Sequence, residues 1–497
     1  MTSTIGEVVP TAARRFGDRT ALLVGDRSFS FDDLDALSNR AANCLVAAGV
    51  QPGDRIALYG PNCWEWLVAY FGIAKTGAVV IPVNVMLTAD EVRFVVENAG
   101  ARAVVASPDK GESLPDLEGS VLLWGDGSTE WLSQGAPEFA AVHRDGGDLA
   151  AICYTSGTTG HPKGAMQSHR SVIGAAMGTA TMAARGPHDR VINSLPLPHV
   201  YGSCVFNAAL MAGSTFIMIP RFDAELVLRT IVQRGATLMD GVPTVYYYLL
   251  AHPDFDSYDL SSLTRCWVGG QTLPVAKSVE FTERTGCPVH EVWGMTELAG
   301  ATSANPVVGP NKPGTIGVPY PGNAMRVVDI DDPAREMPVG GRGELMFRGP
   351  LVMLGYYGNP QGTADAIDAD GWLHTGDVAT MDDDGYFTIV DRMKDMILTA
   401  GFNVYPAEIE RVLCGHAAVA LAAVGGIPDE TKGELAKAFV VLRPDAQASC
   451  DELVAHCRRH LAAYKVPRAI QFTTELPMTP SGKIMRRLLS EIDDGLR

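Results

Sequence analysis

From Phe31 to Ala48 the apolar side chains Leu34, Leu37, Ala41, Leu45 and Ala48 return at three- and four-residue steps, and Gly49 follows. On a helical backbone that spacing keeps one face apolar, so it predicts an amphipathic helix that Gly49 stops. Arg55 to Tyr59 comes next as a short β-like stretch. The longest apolar region, Trp66 to Leu87, is broken by Lys75, Gly77, Pro82 and Asn84. Interrupted in this way it reads as a buried helix followed by a strand, and no integral membrane segment is expected. Further apolar runs at 78–83, 103–106 and 214–219 alternate with helical segments such as 224–234. Such alternation predicts α/β architecture.

Between these runs, Gly/Ser/Thr residues cluster at 155–160, Pro/Gly at 306–322 and Gly at 340–349. The acidic clusters Asp329 to Asp332 and Asp382 to Asp384 read as turns, and no internal repeat or low-complexity tract is visible. After Asp391 the charged stretch Arg392-Met393-Lys394-Asp395 leads into about a hundred residues with an independent α/β pattern. We therefore expect a large N-terminal part, 1–392, and a small C-terminal part, 393–497.

Composition narrows the function classes. The 497 residues are 46% hydrophobic and 20% charged, as in an ordinary globular protein and unlike a disordered or collagen-like chain. With 40 Lys+Arg against 57 Asp+Glu the net charge is −17, which disfavours a nucleic-acid-coating protein because phosphate backbones are held through summed positive charge. The nine cysteines are scattered without a CxxC pair, so reduced, mostly buried thiols are expected in place of a disulfide framework or a zinc site. The first twenty residues lack the sustained apolar core of a secretory signal, and a cytoplasmic location is expected.

The densest chemistry lies in Tyr154-Thr155-Ser156-Gly157-Thr158-Thr159-Gly160-His161-Pro162-Lys163-Gly164. Glycines let a backbone approach an anion closely, hydroxyls and exposed N–H groups donate to phosphate oxygens, and lysine adds a point charge. A polyphosphate fits such a loop; a flexible surface loop is the alternative that composition alone allows. The GxxxxGK[ST] pattern of P-loop enzymes is absent, because Pro162 stands where glycine is needed and Gly164 where serine or threonine is needed.

This segment closely resembles the signature loop of the adenylate-forming superfamily of acyl- and aryl-CoA synthetases, luciferases and peptide-synthetase adenylation domains. Five more segments resemble that family's motifs in the same order: Pro196-Leu197-Pro198-His199-Val200-Tyr201-Gly202, Val292-Trp293-Gly294-Met295-Thr296-Glu297, Thr375-Gly376-Asp377, Asp391-Arg392-Met393-Lys394-Asp395 and Pro480-Ser481-Gly482-Lys483. Similarity extends over essentially the whole chain. It implies an α/β fold with a large, multi-subdomain N-terminal adenylation domain (1–392) that binds ATP and the acid, and a small, mobile α+β C-terminal domain (393–497) that carries the catalytic lysine. The implied activity is that of an AMP-forming acyl-CoA ligase using ATP, Mg²⁺ and coenzyme A.

A carboxylate is a poor electrophile, since its leaving group would be oxide; transfer of AMP to it creates an acyl phosphate anhydride with a stabilised phosphate as leaving group. That step brings a carboxylate toward an anionic α-phosphate, so the site must supply preorganised positive charge. The resemblance gives this role to Lys483, with Thr155, Lys163 and Glu297 as further catalytic candidates. The loop residues Thr155, Ser156, Gly157, Thr158, Thr159, Gly160 and Lys163 are implied to hold phosphates. Thr296 is implied to contact phosphate and Glu297 to hold Mg²⁺, an ion suited to one carboxylate plus phosphate oxygens. Alternatively, Glu297 merely places negative charge in the first turn of a helix starting near Thr296. Asp377 is implied to accept bonds from both ribose hydroxyls with Arg392 nearby, whereas loop aspartates more often form turns. Trp293, in the Trp293-Gly294-Met295 turn, occupies the place of a tyrosine stacked on adenine, and its larger π-face preserves stacking. Gly269-Gly270-Gln271 is expected to line the other side of the base, although a simple strand-to-helix turn would use the same glycines.

The second half-reaction is implied to follow rotation of the C-terminal domain about Lys394, which would withdraw Lys483 and bring Ala400, Gly401 and Phe402 to line a tunnel for the pantetheine arm. Many relatives read Ser-Gly-Gly-Glu-Asn where this chain has Thr399-Ala400-Gly401-Phe402-Asn403. Lys394 alone reads equally as one solvated member of a charged linker. With Arg497 as the last residue and no carrier domain, free CoA is the expected acceptor. A stand-alone acyl-AMP ligase that loads a carrier protein and a non-catalytic nucleotide-binding regulator are the alternatives, and a homodimer is left open.

The acid pocket is expected to draw on windows 201–206, 240–248, 268–271 and 294–299, with His199, Tyr201, Val242, Val268, Gly294 and Ala299 as substrate-binding candidates. No lysine or arginine falls inside these windows, so a second substrate carboxylate would be buried without a partner. That favours a neutral-tailed monocarboxylic acid, fatty or aromatic/cyclic. The same residues also suit plain core.

Overall fold

The computed structural model describes residues 4–111, 114, 120–123, 130–155, 162–399, 402–429, 431, 433–479 and 484–492. The first predicted helix forms at Phe31–Ala47, where Ser30 accepts the Asp33 N–H and the Asp33 carboxylate accepts the Ser30 N–H. This capping box satisfies donors that the first turn leaves open. Phe31, Leu34, Ala41 and Leu45 are buried along its predicted face, although Leu37 is only partly covered. The face packs on helix Trp64–Lys75, where a Cβ at Gly72 would lie 2.5 Å from the Ala41 Cβ, so a glycine permits the close crossing. Lys75, which interrupts the apolar run in the sequence, is fully buried; its Nζ donates to Asp35 Oδ1 at 2.7 Å and to Asn39 Oδ1 at 2.6 Å. A buried ammonium is tolerated because it is paired.

Among the described residues, three sheets occupy the first 392 positions. One has seven strands, ordered Gly355–Tyr356, Lys163–Ser168, Leu149–Thr155, Val79–Val83, Arg55–Tyr59, Ala103–Ala106 and Ser120–Leu123. A nine-stranded sheet runs Val318–Pro319, Gly300–Ala304, Val289–Met295, Arg265–Gly269, Leu238–Gly241, Arg190–Asn193, Thr215–Met218, Thr20–Val24 and Arg27–Ser30. Strands Ala324–Val328, Gly343–Arg348, Leu373–Met381 and Phe387–Arg392 make the third. Helices pack between and outside the sheets around a large continuous apolar core. Residues 397–492 build a further five-stranded sheet flanked by helices Pro406–Cys414 and Cys450–His460, with a core of its own around Ile409, Leu413, Val424 and Val440. The fold is therefore α/β, with a large N-terminal and a small α+β C-terminal domain.

All nine cysteines are free thiols. Among the described residues no helix is long and apolar enough to cross a membrane.

One buried carboxylate gives the fold a pH dependence. Glu291, inside strand Val289–Met295, accepts the Gly314 N–H at 2.5 Å, and burial pushes its carboxyl from 4.5 up to about 8. Between those two values the folded chain holds a proton that the unfolded chain has released. Stability therefore falls as pH rises through that window and remains lower above it. Glu291→Gln, which keeps the shape and cannot ionise, is expected to melt higher than the parent at pH 9 and close to it at pH 5; parallel Tm profiles across this range would contradict the assignment.

Candidate active site

The strands Leu238–Gly241, Arg265–Gly269 and Val289–Met295 run parallel, so their carboxyl ends open on the same side of the sheet. Open parallel sheets bind ligands outside such ends. There the cleft is walled by His199 and Tyr201 from helix Val200–Ala212, by Gly269 and Gly270, and by Trp293 to Thr296. His199 caps that helix, its Nδ1 accepting the Tyr201 N–H at 3.1 Å, so a structural role and a place on the cleft wall coincide. Gly270 has φ 87°, a conformation glycine adopts without strain, and helix Val275–Thr285 follows. Gly294 is needed for close approach, since a Cβ there would stand 1.7 Å from the Gly300 carbonyl oxygen.

Thr296–Leu298 forms a single 3₁₀ turn joining strands Val289–Met295 and Gly300–Ala304, with Ala299 at φ 59°. The alternative of a helix beginning near Thr296 is thus corrected: the chain reverses within a β-hairpin and leaves no helix dipole for Glu297 to complement. Glu297 is buried instead against Tyr356, whose hydroxyl donates to Oε1 at 2.8 Å. Burial and then the Glu297 charge raise the Tyr356 phenol well above its ordinary range, so it stays a donor. The Lys163 ammonium lies 5.1 Å from the centre of the same ring. Gln167 Nε2 donates to the Thr296 carbonyl at 2.9 Å and the Met353 N–H to that of Glu297 at 2.8 Å, which fixes the turn. Among the described residues no group of three or more His, Cys, Asp or Glu could cage a metal. One buried carboxylate suits Mg²⁺ brought in on phosphate oxygens.

Asp377 is not in a loop, as its Thr-Gly-Asp context suggested, but in strand Leu373–Met381, opposite Arg392 of strand Phe387–Arg392. Its carboxylate accepts the Trp293 indole N–H at 2.8 Å and lies 2.8 Å from Arg392 Nε. Asp377 in turn raises the Arg392 guanidinium further above its ordinary range. Sequence reasoning valued Trp293 for its π-face and missed the ring N–H; the signal was available, because indole is donor-only and a buried one needs an acceptor.

Thr155 and Lys163 pair across the hairpin formed by strands Leu149–Thr155 and Lys163–Ser168, with the Thr155 hydroxyl 3.5 Å from the Lys163 carbonyl oxygen. The intervening Ser156, Gly157, Thr158, Thr159 and Gly160 lie outside the described residues, as do Ala400, Gly401 and Lys483. Next to Lys483, the Ile484 N–H donates to Gln271 Oε1 at 3.3 Å, which ties the C-terminal segment to the turn after Gly270. Lys394 is exposed in the 3₁₀ turn Met393–Asp395 between the two domains. Phe402 is 55% exposed and stacks on Tyr464 with ring centres 4.8 Å apart. Val242, Val268 and Ala299 are buried in the main core. Arg185 was missed altogether. It lies outside the sequence windows, yet its Nη2 meets Asp240 Oδ2 at 2.6 Å, with both side chains buried. No sequence signal identifies a partner 55 positions away.

The AMP-binding enzyme pattern matches residues 9–357 and the AMP-binding enzyme C-terminal domain matches residues 408–483. The chain belongs to the AMP-binding enzyme family. The superfamily resemblance carried by the six motifs therefore holds. The chain is 35% identical to a long-chain-fatty-acid–CoA ligase of Bacillus subtilis (strain 168), over 98% of this chain and 94% of that protein. It is 38% identical to a feruloyl-CoA synthase of Amycolatopsis sp, over 95% and 96% of the two chains. Among solved structures, ATP-bound MatB from Rhodopseudomonas palustris superposes with a TM-score of 0.93 at 32% identity, covering 99% of each chain. The anthranilate CoA ligase AuaEII in complex with anthranoyl-AMP does so with 0.91 at 28%, again covering 99% of each.

Proposed function

We infer that this protein is an AMP-forming acid–CoA ligase that activates a monocarboxylic acid with ATP and passes the acyl group to CoA. The observation that carries the reading is the buried Asp377 carboxylate, held by Arg392 and by Trp293, which walls the cleft together with Gly270. An anchored carboxylate of this kind can accept from vicinal hydroxyls of a ribose, while exposed glycine backbone beside an aromatic ring leaves a slot for a flat base. Glu297 would hold Mg²⁺, which when bound neutralises phosphate charge.

In the first half-reaction an acid oxygen attacks the α-phosphorus and pyrophosphate leaves with the electrons of the broken P–O bond. Lys163 and the loop from Thr155 face the phosphates in this scheme, and Lys483 bridges the carboxylate and α-phosphate. In the second, a CoA thiolate attacks the acyl carbon and AMP departs. His199, Tyr201 and Gly294 contact the acid in this scheme. We place the domain boundary between Arg392 and Met393 and the hinge at Lys394, which its exposure leaves free to turn. Rotation there separates Ile484 from Gln271 and presents the 400–402 segment to the thiol. The acidic charge and free cysteines favour a cytoplasmic place of action.

The test is acid-dependent ATP–pyrophosphate exchange, followed by thioester formation on addition of CoA. Exchange without thioester would point to transfer onto a carrier protein; ATP binding without exchange for any acid would leave a regulator. Lys394→Pro is expected to preserve pyrophosphate release and to slow CoA transfer by about tenfold or more, since proline fixes φ at the hinge. Unchanged overall turnover would count against rotation.

A further inference from the structure

The far wall of the acid side of the cleft is polar, buried and closed. Tyr201 lies along Gly269, where a Cβ would approach its Cε1 to 3.3 Å, and its hydroxyl reaches Asp240 Oδ1 at 3.5 Å. Asp240 is paired with Arg185 at 2.6 Å, and Arg185 Nη1 also donates to the Val205 carbonyl at 3.3 Å. The guanidinium thus ties the strand bearing Asp240 to the helix bearing Tyr201. On the neighbouring flank Thr179 Oγ1 lies 2.9 Å from Cys204 Sγ and 3.1 Å from the Tyr320 hydroxyl. A Cβ at Gly300 would come within 3.2 Å of the Cys204 Cβ, so the strand bearing Gly300 packs tightly on the helix bearing Cys204 on that side.

An apolar tunnel for an extended chain would use carbon side chains here. Two charges and three hydroxyls stand in their place, although a buried ion pair is weak evidence for added stability and an apolar replacement of similar volume is often tolerated. The cleft itself leaves only about 40 Å³ of free space, well under the about 300–1,000 Å³ typical of small-molecule sites, so a long acyl chain cannot enter without movement of its wall. Its wall includes Trp293 and Gly270 together with Tyr201.

Resting on the ligase reading above, we propose that Tyr201, backed by the Asp240–Arg185 pair, is the stop that ends the acid pocket, and that the substrates are short-chain or single-ring monocarboxylic acids and not long-chain fatty acids. Tyr201 touches the acid; Asp240 and Arg185 are positioning residues that hold its ring across the passage.

The experiment measures kcat/KM for pyrophosphate release with butanoate, octanoate, hexadecanoate and benzoate, in the parent and in Tyr201→Ala and Tyr201→Phe. Butanoate or benzoate is expected to exceed hexadecanoate by at least about 100-fold in the parent. Tyr201→Ala should move the octanoate-to-butanoate ratio at least about tenfold toward octanoate, while Tyr201→Phe, which retains the ring but loses the bond to Asp240, should move it only a few-fold in the same direction. Each ratio is taken within one protein, so partial misfolding does not change it. Calorimetry with benzoyl- and hexadecanoyl-sulfamoyl adenosine gives the same comparison without turnover, the benzoyl compound being expected to bind tighter. A parent that prefers hexadecanoate, or a Tyr201→Ala protein with an unchanged length profile, overturns the proposal. Release with none of the four acids, together with no binding of either analogue, would instead remove the ligase reading on which it rests.

Discussion

Lys483→Ala is expected to slow acyl-adenylate formation by about 100- to 1,000-fold or more while leaving thioester formation from supplied acyl-AMP within a few-fold of the parent. The asymmetry follows from charge. Adenylation presses a carboxylate onto an α-phosphate, and a cation placed between two repelling anions stabilises the transition state more than the separated ground state. Thioester formation begins after that repulsion has been discharged into a covalent bond, so it has little need of the same ammonium. Ile484, the following residue, donates its N–H to Gln271 in the turn after Gly270, which the proposed scheme places beside the nucleotide for the first step. Single-turnover measurements of each half-reaction check this; equal losses in both would remove the assigned role.

Asp377→Ala should lower kcat/KM for ATP in adenylation by at least about 100-fold, because in the proposed scheme its carboxylate accepts two charge-assisted hydrogen bonds from the ribose and both would be lost together. It should also lower stability by about 1–3 kcal/mol, since the indole N–H of Trp293 is left buried without its acceptor. The partner change Trp293→Phe provides the control. It removes the donor and keeps an aromatic face, so Asp377 loses one restraint while stacking on the base survives. We expect an ATP effect several-fold smaller than that of Asp377→Ala, measured by exchange kinetics at varied ATP. Equal effects of the two changes would mean that Asp377 acts only through the tryptophan.

Much of the architecture was legible because local periodicity reports which face of an element is buried. The Phe31 helix, the Arg55 strand and the helix-then-strand reading of the Trp66 region each formed within a few residues of their predicted bounds. Lys75 marked a break in the apolar run yet became core, because Asp35 and Asn39, 40 and 36 positions earlier, stand beside it on a neighbouring helix. Local signals misled at Glu297 and Asp377. Thr-Glu-Leu has the composition of a first helical turn, but hydrogen bonding with the Gly300–Ala304 strand wins and compresses it to one 3₁₀ turn. Thr-Gly-Asp has the composition of a turn, but pairing with Phe387–Arg392 extends it.

The sequence by itself determined the succession of helices and strands, the six motifs in order and hence the adenylating chemistry, because each depends on residues close together along the chain. Which side chains face each other across the site was decided by the tertiary structure alone. Trp293 meets Asp377 across 84 positions and Arg185 meets Asp240 across 55. Such pairs are set by the order in which strands and helices are laid beside one another, and that order follows from burying all the apolar faces at once, a condition no single stretch of sequence contains.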